Sequence, residues 1–205
     1  MTTIEPIDLP DAVKAAMAVF RDAFRDDPGM AYICQREHGG YEQRLTTWFG
    51  ATLHLQIANH QPVFGIQQDG EYIACAMLTL PNARLSLPSL LRWLSAVASG
   101  TGVRTVWRTL SHLQRIGPYQ PQMSHVRLEF IAVAPAHQGK GHARRLLDDI
   151  HQLSESHAES SGVWLETVNP ANVPLYLRLG YGLTQHLSVA HSVETWIMFR
   201  PNSVV

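Results

Sequence analysis

Two sets of residues in this chain have types and spacing suited to chemistry. The first is the run Gln138-Gly139-Lys140-Gly141-His142-Ala143, between an apolar strand and an amphipathic helix. At such a junction the first backbone N–H groups of the helix lack intrahelical partners, and the helix dipole makes that end positive. Glycines let the backbone come close to an anion. The turn can therefore act as a nest for a diphosphate, with Lys140 adding charge. The second set is a pair of acids inside apolar strands, Glu129 and Glu166. A carboxylate in such a place needs a partner or a task, and either is a candidate general base. His125, at the start of the strand that carries Glu129, is a third. Simple alternation puts Glu129 on one face with Ile131 and Val133, and Val126, Leu128 and Phe130 on the other. A bulge would reset that count.

Three patterns compete for the glycine loop. A Walker loop needs Gly-Lys-Ser/Thr, but His142 follows Gly141 and the Mg²⁺-binding hydroxyl is missing. A dinucleotide fingerprint needs G-x-G-x-x-G, and Arg144 stands where its third glycine would be. The third pattern, Q/R-x-x-G-x-G/A, is met by Gln138, Gly141 and Ala143. An apolar strand ending Phe130-Ile131-Ala132-Val133-Ala134-Pro135 precedes it. Leu165-Glu166-Thr167, Asn172, Tyr176 and Leu179-Gly180-Tyr181 follow in order. In these motifs the chain resembles the GNAT acyltransferase superfamily, and its layout is loosely similar to the puromycin N-acetyltransferase group. The likeness before His125 carries no acceptor over.

The resemblance implies an acetyl-CoA-dependent N-acetyltransferase that passes an acetyl group to a primary amine of a small molecule or peptide by direct attack in a ternary complex. It implies that the backbone of Ile131, Ala132 and Val133 pairs with the pantetheine amides as an added strand would. That requires the strand starting at Val163 to splay from the one ending at Val133. The Val133 N–H would hold the thioester oxygen. Tyr176 would be the general acid, a neutral phenol able to protonate a departing thiolate. Asn172 would bond the pantetheine or cap the helix it opens, and Asn169 has the same two readings. A non-catalytic acyl-CoA-binding module and a nucleotide-binding domain are the alternatives.

The elements that must position these residues read as follows. A strand spans Ile4 to Leu9. A helix opens at Pro10 with Asp11 as its cap and stops at Asp27-Pro28-Gly29. A second helix covers Tyr41 to Ile57. Pro62 to Ile66 and Glu71 to Leu80 form a hairpin around Asp69-Gly70. Residues 82–122 form a helical insertion, with helices around Leu87 to Val97 and Val103 to Ile116. A break at Ser99-Gly100-Thr101-Gly102 separates them. Core packing and an acceptor wall containing Trp93 and Trp107 explain this segment equally well. Strand Val126 to Val133, helix His142 to Glu159 and strand Val163 to Val168 come next. A short helix from Ala171 to Leu179, ended by Gly180, precedes strands Gly182 to His186 and Val193 to Arg200. The expected fold is α/β: a GNAT-like central mixed, largely antiparallel sheet flanked by helices, with the insertion before the cofactor-binding strand. One domain is expected over 1–205, its N-terminal half 1–81 and its cofactor-binding core 125–200.

Composition narrows the partners. The chain has 205 residues, 16% charged, with a formal net charge of −1, so there is no basic field for nucleic acid. The apolar stretch from Leu85 to Val106 is interrupted by Arg92, Arg104, Pro88, Gly100 and Gly102, a poor membrane span. The start of the chain lacks the marks of a signal peptide, so a cytoplasmic location is expected. Cys34 and Cys75 read as reduced thiols. The eleven histidines show no metal spacing, so no metal is expected. The last strand, with Trp196 and Phe199, either pairs across a homodimer or closes the sheet.

Overall fold

A computed structural model describes residues 3–190 and 193–203. Its seven strands are β1 (Thr3–Pro6), β2 (Val63–Gln68), β3 (Glu71–Thr79), β4 (Val126–Val133), β5 (Gly162–Thr167), β6 (Gly182–Ala190) and β7 (Val193–Pro201). They form one sheet in the order β1-β2-β3-β4-β5-β7-β6. Every neighbouring pair is antiparallel except β4 and β5, which are parallel. The expected mixed, largely antiparallel sheet is therefore present. Gln68 pairs with Glu71, leaving Asp69 and Gly70 as a two-residue loop with φ of 54° and 83°, the positive pair a tight hairpin requires.

Helices cover both faces. α1 (Pro10–Ala23), α3 (Tyr41–Ala58) and α4 (Leu87–Thr101) pack on one. Their core centres on Phe20, Phe24, Trp48, Phe49 and Phe130, whose rings contact at centroid separations of 5.2 to 5.5 Å. α6 (His142–Ser156) and α7 (Val173–Arg178) cover the other face, with Leu146, Leu147, Ile150 and Tyr176 buried against it.

Several boundaries differ from expectation for local reasons. β1 ends at Pro6, and just past it the Ile7 N–H donates to Val63 O at 2.8 Å. Pro10 is the first residue of α1, so Leu9 takes the cap position and Asp11 lies in the first turn. α1 ends at Ala23. Asp27-Pro28-Gly29 is a start and not only a stop: Asp27 Oδ1 accepts the Met30 N–H at 2.8 Å and opens α2 (Pro28–Ile33). In the insertion only Gly102 breaks the helix, at φ 89° and ψ 153°, a region left to glycine. α5 (Val103–Ile116) follows at once. β6 runs four residues beyond its expected end, to Ala190. β7 is hydrogen-bonded on both sides, to β5 and β6, so it lies inside the sheet with no free edge of its own, and β6 is the edge strand.

β4 is the strand that matters for the site. Met77 faces Phe130 and the adjacent Leu78 faces Leu128, so Glu129 is an extra, bulged residue. The bulge reverses the parity expected from alternation. Val126 and Leu128 lie on the α6 face and so do Ile131 and Val133, while Phe130 and Ala132 face α1 and α3.

α5 has an inverted face pattern. Thr105 and Thr109 are buried while Trp107 is 63% exposed. Thr105 Oγ1 accepts from Gln35 Nε2 at 2.9 Å, and Thr109 Oγ1 accepts from Trp48 Nε1 at 3.1 Å. The inner side of α5 is thus a polar seam. Trp107 is no part of an acceptor wall, whereas Trp93 is 6% exposed and faces inward.

Behind the sheet, His151 of α6 has Nε2 3.0 Å from the Tyr181 hydroxyl. Burial, with the Arg200 charge nearby, lowers the imidazole to about 4. The unfolded value is near 6.5, so the unfolded chain binds the extra proton between these limits. Stability from this group is complete above about pH 6.5 and is lost as pH falls toward 4. His151→Gln should therefore flatten the decline of the thermal midpoint between about pH 7 and pH 4.5. An unchanged slope would show that the imidazole is already charged in the fold.

Candidate functional site

β4 and β5 pair over three rungs only: Val126 with Val163, Arg127 with Trp164 and Leu128 with Leu165. Beyond these the strands separate. β4 continues through Glu129 to Val133, and β5 through Glu166 and Thr167. Ala134 N–H donates to Ile73 O at 2.8 Å, on the β3 side. By alternation the backbone groups of Ile131 and Val133 turn to the other edge, the one β5 has left.

A cleft of about 400 Å³ opens at this split. Phe24, Trp48, Trp93 and Phe130 form its apolar walls, and Glu129, Glu166, Ile131, Asn172 and Tyr176 also line it. Of the residues singled out in the sequence, these five are brought together. His125 is not: its Nδ1 lies 2.8 Å from Met123 O and its ring lies against Trp164 and Phe199. Ala132 is buried on the α1 face, so only its backbone belongs to the strand edge.

The acids are held by neighbours. Glu129 Oε1 accepts from the Thr79 hydroxyl at 2.7 Å, and Arg127 Nε is 3.1 Å from Oε2. Glu166 has both carboxylate oxygens 2.9 Å from His112 Nε2, and Oε2 accepts from the Thr195 hydroxyl at 3.2 Å. Tyr176 is 5% exposed and burial raises its phenol to about 12. It stays protonated at neutral pH, and no described residue hydrogen-bonds its hydroxyl.

The glycine loop lies past the end of β4. Gln138 Nε2 donates to Val133 O at 3.1 Å and ties the loop to the strand. Gly139 and Gly141 have φ of 74° and 85°, and no atom lies within 4 Å of a Cβ built on either. Their need for glycine is conformational, and the space above them is open. Gly141 caps α6 without a side-chain hydrogen bond, and the first turn holds no acid. Burial and then the charges of His137, Lys140 and Arg145 lower the His142 imidazole. Free amides, a positive surround and open space fit a diphosphate. Lys140 Nζ donates to Ala136 O at 3.0 Å and is otherwise exposed.

The two asparagines, each with both readings open in the sequence, divide them. Asn169 is the capping residue, its Oδ1 accepting the Ala171 N–H at 3.0 Å and opening a 3-10 turn at Pro170–Asn172. Asn172 caps nothing and lines the cleft.

Two cleft residues escaped the sequence reading. Asp27 is half-buried, and desolvation raises its carboxyl to about 6. An Asp ahead of a first-turn proline is a cap signature. His112 comes from α5, and the signal was the polar spacing Thr105, Thr109, His112 at i, i+4 and i+7. Among the described residues no group of three or more His, Cys, Asp and Glu could hold a metal. No described helix is long and apolar enough to cross a membrane.

Comparison with known proteins gives concordant findings. The family model for the acetyltransferase (GNAT) family matches residues 21–181. The chain is similar to the histone acetyltransferase HPA2 and related acetyltransferase of Corynebacterium glutamicum at 19% identity and a TM-score of 0.71, covering 100% of this chain and 98% of that one. It is similar to the ribosomal-protein-S18-alanine N-acetyltransferase of Escherichia coli at 18% identity and a TM-score of 0.55, covering 100% and 96%. It is also similar to Arabidopsis thaliana NAA60, solved in complex with acetyl-CoA, at 15% identity and a TM-score of 0.57, covering 98% of each. At these identities the likeness is one of fold.

Proposed function

The chain belongs to the acetyltransferase (GNAT) family, and from that premise we propose that it moves the acetyl group of acetyl-CoA onto a primary amine of a small molecule or peptide. The observation that carries this reading is the split after Leu128 and Leu165. It opens a strand edge beside a cleft that holds two carboxylates and a protonated buried phenol.

In this reading the amides at Gly139 to Ala143 bind the diphosphate, with Lys140 and His142 at its rim. The freed edge of Ile131 and Val133 pairs with the pantetheine amides, and Asn172 lies at the same opening. The Val133 N–H polarises the thioester carbonyl as charge develops on its oxygen. The amine, stripped of a proton, attacks the carbonyl carbon directly. As the C–S bond breaks, Tyr176 gives its proton to sulfur and regains the one the nitrogen sheds. Glu129 and Glu166 place negative charge where an ammonium group would enter. The apolar walls favour an acceptor with an aromatic or aliphatic body and leave little water beside the reacting atoms.

Purified protein incubated with acetyl-CoA and a panel of primary amines and N-terminal peptides should release CoA only when an acceptor is present. The acetylated amine should be identified by mass. Tight CoA binding without turnover on the whole panel would instead make this a binding module and would overturn the proposal.

A further inference from the structure

The charged groups of the cleft are unequally committed. Glu129 is held by Thr79 and Arg127. Glu166 accepts from Thr195, which is fully buried, and faces His112 with both oxygens. An ionised carboxylate only accepts, so the hydrogen between them belongs to His112 Nε2. That leaves Nδ1 with a free lone pair, and no described residue bonds it. Glu166 orients the imidazole and would stabilise its cation, an arrangement that makes a histidine an effective base. His112 also lines the cleft that Tyr176 lines.

Resting on the acetyl-transfer reading above, we infer that His112 is the group that takes the proton from the acceptor's ammonium and that Glu166 is its positioning residue. The inserted α4–α5 hairpin then delivers the base and is more than a wall. The ammonium N–H bond breaks and an N–H bond forms at Nδ1. The neutral amine adds to the thioester carbon, and the proton on His112 passes to water. Glu129 keeps the role of attracting the cation.

The groups facing His112 can be named. Glu166 on β5 and Asp27 at the start of α2 are the acids beside it. Arg108, one turn back on α5, is taken up by the Tyr32 carbonyl and Glu37. α4 lines the cleft with Trp93 and no charged side chain. On β6, His186 is paired with Glu194.

The test is the pH profile of kcat/KM for the intact chain with an alkylamine found to be an acceptor. His112→Gln should lower kcat/KM at neutral pH by about tenfold or more and move the acid limb up, toward the ionisation of the amine itself. Glu166→Gln should also lower kcat/KM at neutral pH, because the imidazole loses the carboxylate that orients it, and Glu166→Asp should restore part of the rate. Added imidazole should restore part of the rate to His112→Ala. If His112→Gln lowers the thermal midpoint but leaves the limb in place, the histidine is only structural and the inference fails alone. If the parent chain acetylates no amine, the functional reading fails and takes this inference with it.

Discussion

Tyr176→Phe is expected to lower kcat by roughly 10²- to 10⁴-fold while the affinity for acetyl-CoA stays within about twofold. The ring is buried and lies 5.5 Å from Tyr181, so phenylalanine keeps its packing. The hydroxyl bonds no described residue, so its removal strands no partner. What disappears is the only proton donor that this reading aims at the leaving sulfur. Because burial holds the phenol up at about 12, the parent enzyme should show no alkaline loss of rate from this group below about pH 10. Steady-state CoA release and calorimetric binding on the same preparation check both halves. A variant with kcat close to that of the parent would remove Tyr176 from the chemistry.

The second large effect is expected at the loop. Gly139 and Gly141 sit at φ of 74° and 85°, where an L side chain costs about 1–2 kcal/mol and a β-branched one more. Valine at both positions should raise the acetyl-CoA dissociation constant by more than about tenfold, roughly 1.4 kcal/mol. The mechanism is rotation of the amides away from the diphosphate, since no atom lies within 4 Å of the new Cβ positions. Asparagine, which tolerates this region, should do far less harm than valine. That ranking separates a backbone requirement from one of bulk. Lys140→Glu, which leaves the backbone alone, should weaken binding modestly and in a salt-dependent way. Calorimetry across this set, with thermal midpoints as a folding check, decides it. Unchanged affinity in the double valine variant would place the diphosphate elsewhere.

The parts of the molecule that were legible in the sequence are those fixed by neighbours along the chain. The loop from Gln138 to Ala143, the apolar period of α6 and the Asp69-Gly70 hairpin each depend on a few adjacent residues, and each stands where expected. Glu129 shows where this stops. Its acid character was visible, but its bulge depends on pairing with Met77 and Leu78, about fifty residues away, and only tertiary structure reveals it. The His112–Glu166 contact spans 54 positions and leaves no local trace. The insertion was ambiguous because an amphipathic helix is expected to turn its apolar side inward. α5 does the reverse, and only the partners of Thr105 and Thr109, Gln35 just past α2 and Trp48 on α3, explain why. Asn169 and Asn172 were indistinguishable as caps because the proline between them permits either.

The two cysteines bear on how any of this is measured. Cys34 and Cys75 are fully buried; burial raises the Cys34 thiol to about 12 and pushes that of Cys75 up as well. Thiolate is the reactive form, so a chromogenic disulfide reagent should find nothing to modify on the native chain. The colour it develops would then count turnovers without a protein blank. The same reagent in denaturant should titrate two groups per chain, giving an internal concentration standard.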